Sequence, residues 1–318
     1  MSWSTTHITD GPQTPHFRCK PIQQFTIQGP GDGGCDSIEY GVYVDGGRSA
    51  TIEHNHITHI RDITAMGQLS GCQNGVAVQV GRFVLMTTGS ANVRNNRIDD
   101  YQKNGVTIDN SGSSAIVENN LVQGFGPSQT IAQNGIQVSR GATAQVKNNT
   151  VSGNVYAPMA VSSTGILLYT DSISPPAGAV DVENNRLNAN DTGVYAYQSD
   201  STSTVNNNAV VGSTFDGITL DTSTGTPVQN NRSQSNDQGV GVYTTMNATL
   251  SNNQAKNNRS NGFYAYFDTS GNTFQNDQAR GSGMFDCRDD SSGGGTAGTA
   301  NFWLNDQGTT SSPAGICR

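Results

Sequence analysis

With 33% hydrophobic and 13% charged residues in a chain of 318, the protein has neither the apolar content of a thick core nor the charge density of a disordered polyelectrolyte. The net charge of −8 argues against a nucleic-acid footprint, and no run approaches the ~18 apolar residues of a membrane span. The polarity resides in Asn, Gly, Ser, Thr and Gln, so the chain needs a fold that uses such groups internally.

The first twenty residues, "MSWSTTHITDGPQTPHFRCK", have no basic run followed by an apolar stretch and do not read as a signal peptide. The expectation is still a secreted or extracellular protein whose leader is absent from this sequence, because the cysteines suit an exported chain. Cys19 and Cys35 bracket the N-terminal end, and Cys287 and Cys317 the C-terminal end, with Cys72 between. Two bridges and one thiol can be arranged in several ways, and five buried reduced thiols are the alternative. No Cys-x-x-Cys occurs, so zinc or thioredoxin-like chemistry has no support.

From residue 38 onward one pattern repeats: a polar residue, a Gly, then an alternating apolar run, as in "QNGIQV". The Gly falls at Gly41, Gly75, Gly105, Gly135, Gly165, Gly193, Gly217, Gly239, Gly262 and Gly283, with spacings that shrink from 34 to 21. A second marker runs in step: "IEHNHI", "VRNNRI", "VENNLV", "VKNNTV", "VENNRL", "VNNNAV", "VQNNRS", "LSNNQA" and "FQNDQA". Its recurrent polar position is Asn55, Asn96, Asn120, Asn149, Asn185, Asn208, Asn231, Asn253, then Asp277. Repeats of this length read as coils of a parallel β-solenoid stacked about 4.8 Å apart. Apolar residues after each Gly point inward, and stacked Asn side chains pass hydrogen bonds from coil to coil, forming an internal ladder. The expected architecture is all-β, a single-stranded parallel β-helix of about ten coils. It divides into an extension over 1–37, the helix over 38–285 and a capping segment over 286–318. "SSGGGTAGTAN" is a loop leading to a terminal strand "NFWLN", not a phosphate loop.

The pairing of "VENN" segments with "NGI.V" strands resembles the right-handed parallel β-helix of the pectate-lyase-like superfamily over residues 38–285, most closely bacterial β-helix repeat proteins with cysteine-rich ends. The resemblance is specific for fold. It implies little about activity, since that superfamily holds lyases, hydrolases, epimerases, phage tailspikes, adhesins and a periplasmic copper-site maturation family. It implies that a ligand lies along the outward face of the first, Gly-led strand of each coil. That groove is walled by long loops, here 58–73, 123–133 and 152–163 before the strand and 81–90 and 171–178 after it. These cluster on coils two to five, where a site is therefore expected.

On that outward wall the substrate-binding candidates are Asp45, Gln79, Gln137, Tyr169, Tyr195, Tyr197 and Tyr243, because rigid rings with polar tips suit sugars. A good strand former on an exposed sheet is the plainer explanation of the tyrosines. Lys103, Asp109 and Arg140, with Tyr101, are the catalytic candidates. A base, a carboxylate and a cation within two coils meet the needs of proton abstraction beside a uronate carboxylate. Asp109 in "DNSG" and Asp45 in "DGG" are also ordinary turn sequences. His54, His56 and His59 form a weak metal candidate, and no metal site is assigned. His59 and Arg61 sit in a groove-side loop and join the catalytic candidates. The chain lacks the Tyr-Gly-x-Asp-Pro-His run of alginate epimerases, the paired Asp of polygalacturonases and the tight Asp cluster of pectate lyases. No cofactor is assigned, and calcium is kept open although that cluster is missing. The expected partner is a polysaccharide or other glycan, with monomer and homotrimer both open. The leading reading is a lyase or epimerase on an acidic glycan. The alternatives are a non-catalytic glycan-binding or surface scaffold, and an enzyme acting on a small molecule.

Overall fold

The computed structural model describes residues 21–29, 34–35, 37–64, 67, 69–158 and 160–318. Among these residues the chain winds through three parallel sheets, of 11, 11 and 10 strands, each made of one strand per coil. The first sheet holds the Gly-led strands, such as Asn104–Asp109, Asn134–Ser139 and Thr164–Tyr169. The second holds the segments before the Asn pair, such as Ser114–Glu118 and Thr143–Lys147. The third holds the segments after it, such as Arg97–Asp99 and Arg186–Asn188.

The corner between second and third sheets explains the doubled asparagine. Its first residue takes a left-handed conformation, as at Asn95 (φ 55), Asn119 (φ 57) and Asn148 (φ 56), which Asn tolerates better than other side chains. Its second residue turns inward. The backbone N–H and Nδ2 of Asn96 donate to Asn120 Oδ1 at 2.9 and 3.0 Å, and Nδ2 also reaches Ile52 O at 2.9 Å. The same geometry recurs from Asn55 to Asn253. A second amide stack at the third corner pairs Asn154 with Asn190, and Asn236 with Asn258.

Three apolar columns fill the interior, and their volumes compensate. In the third sheet the inward column runs Ile57, Ile98, Val122, Val151, Leu187, Val210, then shrinks to Ser233, Ala255 and Ala279. In the same coils the other two columns swell to Phe263 and to Phe274 and Trp303, whose rings stack 3.9 Å apart. Constant total volume keeps the interior close-packed while its residues change. The repeat Gly has a steric cause: a Cβ on Gly105 would lie 2.6 Å from both Gly135 O and Val122 Cγ1. On the outside of the second sheet, Glu53, Arg94, Glu118, Lys147 and Glu183 stack with alternating sign, which penalises a one-coil slip.

The structure corrects the sequence reading in several places. Gly75 is not the repeat Gly of the second coil: Val76 pairs with Asn104 and Val78 with Val106, so Ala77 occupies the Gly position. Gln79 therefore stands beside Tyr43 and Thr107, not in the column of Asp45 and Asp109. Cys287 points inward, stacked on Phe263. The bridges are Cys35–Cys72 and Cys287–Cys317, so Cys35 does not pair with Cys19, which lies outside the described residues. Stacking also continues past residue 285, through Phe302–Leu304 in the second sheet and Ser311–Ser312 in the first.

That last coil carries the ladder into two carboxylates. Asn253 N–H and Nδ2 donate to Asp277 Oδ1 at 2.7 and 3.0 Å, and Asp277 N–H donates to Asp306 Oδ1 at 2.8 Å. Asp277 Oδ2 takes the place of an amide NH2 and, among the described residues, is buried with no hydrogen-bond partner. Burial pushes the Asp277 carboxyl up to about 8 and that of Asp306 up to about 6, with Asp306 also raising Asp277 by charge repulsion. Both folded values exceed the unfolded value of about 3.9. The native state therefore holds protons the unfolded chain has released, and stability falls as pH rises through 6 to 8. Asp277→Asn should restore the missing donor, raise the melting temperature near pH 8 by about 2–4 °C and flatten its dependence on pH. Thermal unfolding of both proteins from pH 5 to 9 measures this, and parallel pH profiles would refute the assignment.

Candidate functional site

The outward face of the first sheet divides into two halves. Over the early coils the strands Val76–Val80, Asn104–Asp109 and Asn134–Ser139 are buried on both faces. Residues 81–88 fold back against this wall. Phe83 N–H donates to Asp109 Oδ2 at 2.8 Å, Asn110 Nδ2 donates to Thr87 O at 3.0 Å, and the Tyr43 and Thr87 hydroxyls meet at 2.6 Å. Along the same wall a hydrogen-bonded polar layer links Asn104, Asn134 and Gln137, and Gln137 Nε2 donates to Ser139 Oγ at 3.2 Å. Gln79 is buried with its amide on Gly81 O at 2.6 Å. Gln79 and Gln137 are therefore covered. Asp45 opens the turn to Gly46 and Gly47, its carbonyl accepting from Arg48 N–H at 3.1 Å.

The expected catalytic group does not assemble. Asp109 Oδ1 accepts from Ser139 Oγ at 2.9 Å and from Arg140 NH1 at 3.1 Å. Arg140 Nε donates to Asp171 Oδ2 at 2.9 Å, and its guanidinium lies over the Phe83 and Tyr169 rings. Arg140 is thus neutralised by two carboxylates and ties loops 81–88 and 171–178 to the wall. Lys103 sits at the opposite end of the strand Asn104–Asp109, about 20 Å from Asp109 at ~3.3 Å per residue. Its Nζ donates to Ala132 O at 2.9 Å, and burial pushes the amine down to about 8. Tyr101 is not a loop residue facing a groove. It is fully buried in the core, and its hydroxyl donates to Asn154 Oδ1 at 2.6 Å. His59 and Arg61 converge on one carboxylate, Asp100, at 3.4 and 3.0 Å, with Arg61 over the Phe125 ring. Burial raises Asp100 above the usual carboxylate range, against the pull of Arg61 and His59. His56 pairs separately with Asp99 at 3.0 Å. Among the described residues no group of three or more His, Cys, Asp or Glu side chains is placed to hold a metal ion.

The second half of the wall, from Tyr169 to Asp290, is built differently. One outward column runs Leu167, Tyr195, Thr219, Gly241, Tyr264 and Arg288, and the next runs Tyr197, Asp221 and Tyr243. Their hydroxyls are held by carboxylates: Tyr195 Oη donates to Asp221 Oδ2 at 2.6 Å, Tyr243 Oη to Asp216 Oδ2 at 2.9 Å, and Tyr264 Oη to Asp290 Oδ2 at 2.9 Å. Tyr243 folds into the space over Gly241, where a Cβ would collide with both Asp216 Oδ2 and the Tyr243 ring. Asp216 also accepts from Thr219 Oγ1 at 3.0 Å and Gln238 Nε2 at 3.3 Å, while burial pushes its carboxyl up to about 6. The rings of Tyr243, Tyr264 and Tyr266 lie 5.7–6.1 Å apart, and Phe267 adjoins Tyr266 at 4.5 Å. Arg288 lies over the Tyr264 ring and forms a forked pair with Asp290 at 3.0 and 2.7 Å. The tyrosines singled out in the sequence thus share this wall with Tyr264 and Tyr266, and with Asp216, Gln238 and Asp290, which the sequence reading did not single out. The signal for Asp216 and Gln238 was present: each is the polar residue directly before a repeat Gly.

The Arg140 junction yields a prediction. Arg140→Met should leave Asp109 with an uncompensated buried charge, lower stability by about 1–3 kcal/mol and free loop 81–88. Faster amide exchange at Phe83, compared with the unaltered Tyr264 region, would report the release. Unchanged exchange at Phe83 would show that the loop is held without Arg140.

Two family models match overlapping parts of the chain. One, described as right handed beta helix region, covers residues 26–174, and one described as periplasmic copper-binding protein (NosD) covers residues 130–282. No curated protein matches. Among solved structures, a variant of the periplasmic alginate epimerase AlgG superposes with a TM-score of 0.60 at 15% identity, covering 86% of this chain and 63% of that one. The catalytic unit of an alpha-1,3-glucanase from Streptomyces thermodiastaticus gives 0.55 at 14%, covering 83% and 50%. A mannuronan C-5 epimerase A-module of Azotobacter vinelandii gives 0.51 at 13%, covering 92% and 87%. The chain thus spans less than two thirds of the alginate epimerase AlgG and half of the glucanase unit. At these identities the likeness is one of fold.

Proposed function

We propose that this chain, a right-handed parallel β-helix in fold, binds a neutral glycan along the outer face of its first sheet, between Tyr169 and Tyr266. The observation that carries this reading is the tyrosine wall. Its rings are fixed by carboxylates that keep lone pairs for sugar hydroxyls, a combination of apolar faces and polar acceptors that suits saccharides. Support from outside the chain is that fold relatives include an alginate epimerase and an alpha-1,3-glucanase. The two disulfides and the periplasmic relatives favour a location outside the cytoplasm.

A lyase or epimerase acting on an acidic glycan is the weaker reading. Such chemistry calls for a base beside a cation that faces the uronate carboxylate. The two arginines on this sheet, Arg140 and Arg288, already have their charge met by Asp109, Asp171 and Asp290. Lys103, whose amine titrates near 8, lies away from both. A hydrolytic reading rests on one observation: Asp216, pushed up to about 6, is a carboxylic acid able to hold a proton close to neutrality, on the same wall as Asp221.

A panel of neutral and uronic-acid polysaccharides tests the proposal, with binding read by calorimetry and products by mass spectrometry and ultraviolet absorbance. A neutral glycan should bind, and Tyr266→Ala or Tyr197→Ala should weaken it about fivefold to tenfold. Shortened products lost in Asp216→Asn would add hydrolysis to binding. Absence of binding by every neutral glycan, or binding indifferent to both tyrosine changes, would sink the reading.

A further inference from the structure

The outer face of the third sheet carries charge of the opposite sign to the chain as a whole. Its two outward columns in the later coils run Arg186, Ala209, Arg232, Gln254, Gln278 and Asn188, Val211, Gln234, Lys256, Arg280. Arg186, Arg232, Lys256 and Arg280 are all exposed. None of the four makes an ion pair among the described residues, and no Asp or Glu stands in either column from Leu121 to Arg280. Six other arginines, Arg61, Arg82, Arg94, Arg97, Arg140 and Arg288, each meet a carboxylate within 3.1 Å. In a protein of net charge −8, four uncompensated cations on one flat face are a concentration of positive potential, not a sample of the average surface.

We propose that this face is a docking surface for a linear acidic polysaccharide lying parallel to the solenoid axis. The cations follow that axis over four coil steps, about 19 Å at the stacking distance, so they match a polymer with anionic groups along its length. The residues between them are amides, Asn188, Gln234, Gln254 and Gln278, which donate and accept hydrogen bonds with sugar hydroxyls. Aromatic side chains, on which unpaired nucleic-acid bases would stack, are absent from both columns. Charge complementarity and these amides select an acidic glycan. The surface is separate from the tyrosine wall, which lies on another sheet, and does not depend on the neutral-glycan reading. It tethers the protein to a polyanion without chemistry.

The test uses the full chain with dextran sulfate and polygalacturonate, with unsubstituted dextran and single-stranded DNA as comparisons. Both acidic polymers should bind at low salt and release as salt is raised, by screening of exposed charge. The combined variant Arg186→Gln, Arg232→Gln, Lys256→Gln, Arg280→Gln should lose at least about tenfold in affinity with an unchanged melting temperature. Restoring charge with Lys at 186 and 232 should recover part of it, and Tyr266→Ala should leave it intact. The proposal is overturned by failure to bind either acidic polymer, by equal binding of the four-site variant, or by tighter binding of DNA than of both glycans.

Discussion

The stack of buried asparagine amides at the corner between second and third sheets constrains the rest of the molecule. Each amide must accept from the coil before it and donate to the coil after it, and each must also reach a backbone carbonyl. An unmade bond of this kind in a dry interior costs about 1–3 kcal/mol, so every coil has to present its Asn at the same height and angle. The corner is therefore rigid in register. Length variation is expelled to the two other corners, where the long loops occur. The ladder also explains how a chain with only 33% hydrophobic residues retains a close-packed interior: the polar corner is satisfied internally, and the apolar columns need only fill what remains. As the third-sheet column shrinks to Ser233, Ala255 and Ala279, Phe263, Phe274 and Trp303 take up the volume.

What the sequence disclosed follows from the same constraint. A structural element repeated in every coil leaves a periodic trace, so the Asn pair, the repeat Gly and the alternation after it were legible without coordinates. Features that break the period were not. Ala77 fills the Gly position of the second coil, so the nearby Gly75 misplaces the frame by two residues and carries Gln79 into the wrong column. Tyr101 lies just before a strand, where periodicity says nothing of direction, and its aromatic body is drawn into the core with its hydroxyl on Asn154. "WLND" repeats "FQND" with Trp in the apolar position and so passed as a cap, although Asp306 continues the ladder. Pairing of Cys35 with Cys72 depends on loop paths that no local pattern encodes.

The residues read as a catalytic group are drawn apart by the features around them. Long loops in a tight solenoid point to a working groove, and they cluster on the early coils. There they do the reverse of lining an open site: residues 81–88 close over the wall, Asp109 receives the backbone of Phe83, and Arg140 is occupied in holding two loops together. The polar layer along the same wall is satisfied by its own neighbours.

The shrinking repeat length has the opposite consequence at the other end. Spacings near 30 leave residues to cover the sheet, whereas spacings of 22–24, with Asp286 and not Gly283 opposite Gly262, leave almost none beyond the strands and their corners. The first sheet must then meet solvent on its outer face from about Tyr195 onward, and its side chains have to be stable there while remaining accessible. Tyrosines held at their hydroxyls by carboxylates satisfy both demands, since the ring shields the strands and the polar tip has a partner. The third sheet meets solvent in early and late coils alike, Arg97, Leu121 and Thr150 being exposed as well as Arg232 and Lys256, and in the later coils its outward positions are amides and unpaired cations. The loss of loops thus bares the aromatic and acidic wall of the first sheet, whereas the basic amide wall of the third sheet stands on a face that is already exposed in the early coils.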